Sequence, residues 1–260
     1  MGKTTVIALT GKGGVGKTSL SAAMVRLLTE EKPEAKILAI DADPAIGLSV
    51  ALGVEVHETL DQIRLRVAHD VTGKVKDTED ILAEAKFHMF DAMEELDRFS
   101  FLAIGRPEAA GCYCAINTYL KQVISLLTES FDYIVIDGEA GIEQINRRVM
   151  EKVTHLFCVT DQSRKGLSIV KTIKDVADGL VMYDRIGLVV NRAPLPEKVM
   201  ELRDPETGAV EGIPLAAVIG QDNAMTENDI EGKSIFALPA EAEILKGAQE
   251  ALQKTGILGG

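Results

Sequence analysis

Short apolar runs rich in valine and isoleucine alternate along the chain with longer stretches of helical period. The runs are VIALT (6–10), KILAIDAD (36–43), FSFLAIG (99–105), YIVIDG (133–138), HLFCVT (155–160), IGLVVN (186–191) and PLAAVIG (214–220). Their near-continuous hydrophobicity predicts strands buried on both faces, and the helical stretches between them suit right-handed crossovers. The expected fold is α/β: a doubly wound, mostly parallel sheet with helices on both faces. The ligand crevice should then lie at the carboxyl ends of the strands.

Two segments interrupt the alternation. Residues 55–98 read as a helical insertion, within which DTEDILAEAKFHMFDAMEELD (77–97) has eight acids against one lysine. A charge run of this kind reads as a solvated helix face, and an acidic docking surface is the sharper alternative. The second segment, RDPETGAVEG (203–212), carries turn chemistry and is expected to form a surface hairpin or loop. With no internal repeat and no linker composition, residues 1–260 are expected to form a single domain.

Composition narrows the function classes. The chain is 46% hydrophobic and 26% charged, lacks tryptophan and has a formal net charge of −12. That balance argues against a general affinity for nucleic acid or an anionic membrane, although a local basic patch is compatible with it. Three cysteines, an odd count, are a poor disulfide framework and point to a reducing cytosol. The start runs directly into a strand with no leader pattern. Its Met-Gly lacks the Ser or Thr of a myristoylation signal, since Val6 stands there. No apolar run has the length of a membrane span, so a soluble, cytoplasmic protein is expected.

GKGGVGKT (11–18) follows the first strand and leads into the amphipathic SLSAAMVRLLTEE. It fits G-x-x-x-x-G-K-[ST], in which glycines let backbone N–H groups point at phosphate oxygens beside a helix N-terminus. Gly11, Lys12, Gly13, Gly14, Val15, Gly16, Lys17, Thr18 and Ser19 are therefore candidate nucleotide contacts. Lys17 would reach the β- and γ-phosphates, and the Thr18 hydroxyl would ligate Mg²⁺. The same letters spell the dinucleotide fingerprint G-x-G-x-x-G through Gly11, Gly13 and Gly16. That pattern needs no Lys-Thr after its last glycine and prefers a single acid at the end of the second strand. Here the strand ends DADP, two acids in a Mg²⁺-like pairing, which favours a nucleoside triphosphate over NAD. GKT at residues 2–4 has no glycine loop before it.

An ordinary phosphate loop needs no cation at Lys12, where a solvated lysine is the bland reading. K-G-G-x-G-K-T nevertheless resembles the P-loop proteins with a deviant Walker A motif. The resemblance implies that Lys12 reaches across a nucleotide-sandwiched homodimer to the partner's phosphates, comparable in role to an arginine finger. It further implies that Asp43, in DADPAIGL, orients the attacking water, with Asp41 next to the Mg²⁺ shell. In IVIDGEAG, Asp137 would hold Mg²⁺ through water, and the Gly141 N–H would sense the γ-phosphate. Each acid alone would serve as a helix cap; together, at the ends of buried strands, they fit that role poorly. In VVNRAP, Asn191 matches the asparagine set against adenine, with Arg192 beside it. The N-K-x-D pattern that selects guanine is absent, Pro194 standing in place of its aspartate, so ATP is the expected nucleotide.

PEAAGCYCAIN (107–117) holds Cys112 and Cys114 one residue apart, past a strand end. Alternate residues of an extended chain face the same way, so both sulfurs could converge on one point. A buried structural cysteine is the usual alternative, and Cys158 within HLFCVT reads that way. Two thiolates cannot enclose a metal, but a two-fold axis in a nucleotide-clamped dimer would assemble a tetrahedral Cys₄ site. Thiolates suit Zn²⁺ and also hold Ni²⁺ or an iron–sulfur cluster.

The deviant Walker A motif, DADP, the GRPE…GCYC segment and DGEAGIEQINRR together resemble the CooC/AcsF-type ATPases, from Gly11 to about Asn191. Those proteins insert nickel into carbon monoxide dehydrogenase or acetyl-CoA synthase. The resemblance implies an ATP- and Mg²⁺-dependent dimer that carries Ni²⁺ on Cys112 and Cys114 to an apo-enzyme client. A reductase resembling the nitrogenase iron protein is one rival, but the second switch here, DGEAGIEQ, has no cysteine. A spatial regulator is the other. The tail AEAEILKGAQEALQKTGILGG lacks a basic, aromatic membrane face, and the net charge disfavours DNA.

Overall fold

The computed structural model describes residues 4–43, 45–63, 92–105, 129–138 and 152–259. Cys112, Cys114, Gly141 and residues 77–91 of the acidic 77–97 segment lie outside these residues. Each of the seven apolar runs forms a strand: β1 (Thr5–Gly11), β2 (Ile37–Asp41), β4 (Ser100–Ala103), β5 (Tyr133–Asp137), β6 (Lys152–Thr160), β7 (Met182–Ala193) and β9 (Ile213–Gly220). Two short strands, β3 (Glu94–Glu95) and β8 (Ala209–Val210), complete the set among the described residues.

The sheet order is β3-β4-β2-β5-β1-β6-β7-β9-β8. All pairings from β4 to β9 are parallel, and the two edge ribbons, β3 on β4 and β8 on β9, are antiparallel. β1 is central, and the chain leaves it first towards β2 and later crosses to β6. The crevice where the winding reverses therefore opens above β1, β2 and β5.

Alternation along β1 shows why its sequence reads as one apolar run. Ile7 and Leu9 enter the core layer beneath α1 (Lys17–Glu31) and α6 (Glu243–Lys254), while Val6 and Ala8 enter the opposite layer. On that second face α3 (Arg164–Leu180) contributes Leu167, Val170 and Ala177. Ser163 caps α3, its hydroxyl accepting from the Gly166 N–H at 3.0 Å.

β6 and β7 begin several residues before the apolar runs that predict them. In their first pairs, Lys152 with Met182 and Val153 with Tyr183, exposed Lys152 and Met182 alternate with buried Val153 and half-buried Tyr183, so no unbroken apolar run marks the strand. The 203–212 segment ends in a hairpin. Val210 pairs with Ile213 across Glu211 and Gly212, whose φ values of 50° and 75° suit a two-residue turn matched to strand twist. Ahead of it, Asp204 accepts bonds from the backbone N–H groups of Glu206 and Thr207. At the tail of the acidic segment, Glu94–Glu95 is strand rather than helix, because it pairs along the open edge of β4.

Candidate functional site

The loop between β1 and α1 forms the centre of the site. Gly11 has φ 148°, and a β-carbon there would overlap the backbone carbonyl oxygen of Val159 on β6. Gly16 takes φ 87° as the residue before α1, and its β-carbon would stand 2.5 Å from Asn191 Nδ2. Crowding by the β6 backbone at Gly11 and by the Asn191 side chain at Gly16, together with positive φ, requires these two glycines.

Lys17 is buried at the first turn of α1 and donates to the carbonyls of Gly11 (3.3 Å) and Lys12 (3.2 Å). Its ammonium thus sits inside the curl of the loop. Lys12 does the opposite. Its Nζ lies 3.3 Å from Asp161 Oδ2 just past β6, with both side chains about one-third exposed (35% and 33%). Asp161 also accepts from the Ser163 hydroxyl and from the Ser163 N–H at 2.9 Å; the hydroxyl first, then that N–H and Lys12, hold its carboxyl below the usual range. Asp161 did not stand out in the sequence; its position just past a buried parallel strand was the available signal.

Asp41 and Asp137 end neighbouring strands and are register partners. Asp137 accepts from the Thr18 hydroxyl at 2.7 Å and the Ser21 hydroxyl at 3.0 Å. Asp41 accepts from the Asp43 N–H at 3.0 Å and from the Leu48 N–H at 2.8 Å, holding the start of α2 (Gly47–Leu52). Burial first, then the Asp137 charge, pushes Asp41 up to about 7. Burial likewise pushes Asp137 up to about 6, against the lowering effect of Thr18, Ser21 and Lys17. Two buried carboxylates that resist ionising together, beside a hydroxyl, form a hard-oxygen donor set suited to Mg²⁺.

Asp43 is half-buried in the loop after β2, its Oδ1 accepting from the Ala45 N–H at 2.9 Å. In that loop Ile46, a β-branched residue, has φ 53°, a strained left-handed conformation costing about 1–2 kcal/mol. A β-carbon on Gly47 would stand 3.5 Å from the Thr18 methyl, so the loop lies directly against the phosphate loop.

The structure sets Asn191 and Arg192 on the other flank. Asn191 is buried; its Nδ2 donates to the Val15 carbonyl at 2.9 Å and its Oδ1 accepts from the Arg192 N–H at 2.9 Å. Arg192 donates to the Gly14 carbonyl at 3.2 Å. Both side chains brace the phosphate loop from outside. They also line a cleft of about 450 Å³ with Ser19 and the Gln221–Asn223 turn after β9. That turn escaped the sequence reading. Asp222 fixes it, capping α5 (Asn223–Ile230) through the Met225 N–H (3.0 Å) and accepting from the Ile244 N–H of α6 (2.9 Å).

A loop of backbone N–H groups between a central parallel strand and a helix, with acids at the ends of adjacent strands, defines a P-loop nucleotide hydrolase. The comparisons with known proteins give that class a family. Residues 6–235 match the CobQ/CobB/MinD/ParA nucleotide-binding domain, so the chain belongs to that family and is a P-loop ATPase. It is 33% identical over 257 residues to the ATP-binding protein MJ0685 of Methanocaldococcus jannaschii, covering 96% of this chain and 97% of that one. It is 27% identical over 214 residues to the carbon monoxide dehydrogenase accessory protein CooC of Rhodospirillum rubrum, covering 72% and 79%. The fold resembles the septum site-determining protein MinD of Pyrococcus horikoshii OT3, solved with Mg-ADP, at a TM-score of 0.68. Identity there is 21%, with 99% and 98% of the chains covered.

The raised acids give the site a pH signature. Their folded-state values exceed the ordinary carboxylate value, so the metal-free fold binds more protons than the unfolded chain. It loses stability as pH rises from about 4 to about 7. Mg²⁺ requires the ionised carboxylates, so its stabilising effect should grow over the same window. Melting with and without Mg-ADP at about pH 5.5 and about pH 8 should show the larger stabilisation at the higher pH. Equal shifts at both would contradict the Mg²⁺ assignment.

Proposed function

We propose that this ATPase is a nucleotide-driven metal carrier. Two copies close around ATP, capture Ni²⁺ between them on Cys112 and Cys114, and deliver it to carbon monoxide dehydrogenase or acetyl-CoA synthase. In this reading Lys17 and the loop N–H groups from Gly13 to Ser19 hold the triphosphate. Thr18, Asp41 and Asp137 hold Mg²⁺, which when bound neutralises phosphate charge and fixes the triphosphate's geometry. Asp43 orients the attacking water and accepts its hydrogen bond. Lys12 leaves Asp161 to stabilise charge on the partner's phosphates. Gly141 supplies an N–H to the γ-phosphate, and Asn191 with Arg192 borders the base.

One observation carries the metal half of the reading. β4 runs parallel to β2, and the Ile104 N–H bonds the Asp41 carbonyl at 2.8 Å. The chain therefore leaves β4 at the edge that carries the Mg²⁺ acids, and Cys112 follows shortly after Gly105. In this reading the thiols that follow that edge in the chain sense whether nucleotide has closed the dimer. The likeness to CooC supports nickel as the cargo, and soft thiolates are appropriate ligands for it.

The test is Ni²⁺ equilibrium dialysis of Cys112→Ser/Cys114→Ser beside the parent chain. The double variant should lose Ni²⁺ binding while its ATP hydrolysis stays within about twofold, since neither thiol belongs to the phosphate site. Undiminished Ni²⁺ binding would sink the metal assignment and leave the ATPase standing.

A further inference from the structure

A second cleft lies at the far pole of the sheet. β7 and β9 are parallel, and the end of β7 meets the phosphate loop, so the first residues of both strands belong to the opposite edge. There, Arg185 and Ile186 of β7, Leu215 of β9, Arg203 and Thr207 of the turn before β8, and Lys254 of α6 surround a space of about 480 Å³. Arg185, Arg203 and Lys254 bring three cations to it, and no Asp or Glu is among the described residues that line it. In a chain of net charge −12 such a concentration of one sign is unexpected.

The cations are anchored and still have donors to give. Arg185 Nη1 donates to the Thr255 carbonyl at the end of α6, masking the partial negative charge of that helix terminus. Arg203 Nε donates to the Gly208 carbonyl at 3.3 Å. A guanidinium has five N–H donors, so each retains others for a bidentate contact with carboxylate or phosphate. Lys254 is paired with Glu250 at 2.6 Å, both side chains nearly half exposed, and a pair of that kind is worth only about 0–1 kcal/mol. Asp184 points away, since neighbouring strand residues face opposite sides, and it pairs with Lys152 at 3.7 Å. Pro214 and Ala216, alternate residues of β9, add a small apolar wall. Small-ligand sites combine such a wall with a few convergent polar groups in a space of this order.

We propose that this cleft binds a small organic anion bearing carboxylate or phosphate groups, independently of the nucleotide site and of the metal-carrier reading. The test is calorimetric titration of the full chain saturated with Mg-ADP. Succinate and inorganic phosphate are the probes, with sodium chloride at matched ionic strength as the blank. At least one probe should bind saturably at about one per chain, the tighter naming the anionic group recognised. Arg203→Gln/Lys254→Gln should weaken that binding about tenfold or more, as loss of charge-assisted bonds requires. Both residues are exposed, so an unchanged melting temperature will show that the variant is folded. No saturable binding of either probe overturns the proposal. So does binding that persists unchanged in the variant, because that signal belongs to the nucleotide site.

Discussion

Lys12→Ala should lower ATP hydrolysis about a thousandfold while ATP binding persists, and an equal mixture with Asp43→Ala should recover about a quarter of normal activity. The first expectation follows from the charge a trans-acting cation supplies to phosphoryl transfer. The second follows from counting. Half the dimers in the mixture are mixed, and each of those has one site with an intact Asp43 facing an intact Lys12. Geometry makes the crossing inexpensive. Among the described residues the Lys12 ammonium is tied to Asp161 alone, in a pair about one-third exposed at 3.3 Å, which is worth about 0–1 kcal/mol. Lys17 is the internal control, because it is buried under its own loop, bonded to Gly11 and Lys12 carbonyls. Lys17→Ala mixed with Asp43→Ala should recover nothing, since every mixed dimer then has a lesion in both sites. Absence of recovery with Lys12→Ala would place Lys12 in its own subunit's chemistry.

Asp137→Asn should abolish hydrolysis, by about a hundredfold to a thousandfold, yet leave the metal-free protein as stable as the parent or more so at about pH 8. The two effects have one cause. Asp137 is buried against Asp41, and burial makes its charge costly until a divalent cation offsets it. Asparagine keeps the shape and can still bond the Thr18 and Ser21 hydroxyls, which rotate to suit. It removes the repulsion that helps raise Asp41, together with one ligand for Mg²⁺. Metal-free melting curves and steady-state hydrolysis check both halves. A variant that is destabilised at that pH but hydrolyses ATP normally would make Asp137 a structural residue.

The fold was legible because parallel strands buried on two faces leave unbroken apolar runs, as Val6 to Leu9 do on β1. Where only alternate residues are buried, as Val153 is between Lys152 and Thr154, the unbroken run is lost, which is why Lys152–Thr154 and Met182–Arg185 were not expected as strand. The phosphate loop was equally legible, since Gly11 and Gly16 both take positive φ in the curl of the loop, where glycine is favoured. The partners of its side chains were not. Asp161 meets Lys12 only after β6 lies beside β1, and no local pattern announces a contact between residues so distant in sequence. Asn191 was expected at the base; its amide bonds the Val15 carbonyl and the Arg192 N–H, while its flank lines the cleft beside the phosphate loop. The C-terminal helix looked unsuited to a membrane, and among the described residues its apolar side, Ile244, Leu245, Ala248 and Leu252, is buried in the core against α1 and β9.

The central claim is that nucleotide makes the metal site. Its most direct measurement is the Ni²⁺ content of the hydrolysis-arrested Asp43→Ala chain, dialysed with Mg-ATP or with Mg-ADP, alongside its sedimentation. With Mg-ATP the account requires a dimer carrying about one Ni²⁺ per two chains, and with Mg-ADP a monomer that has lost it. Equal Ni²⁺ content in the two states, whatever the stoichiometry, would contradict it.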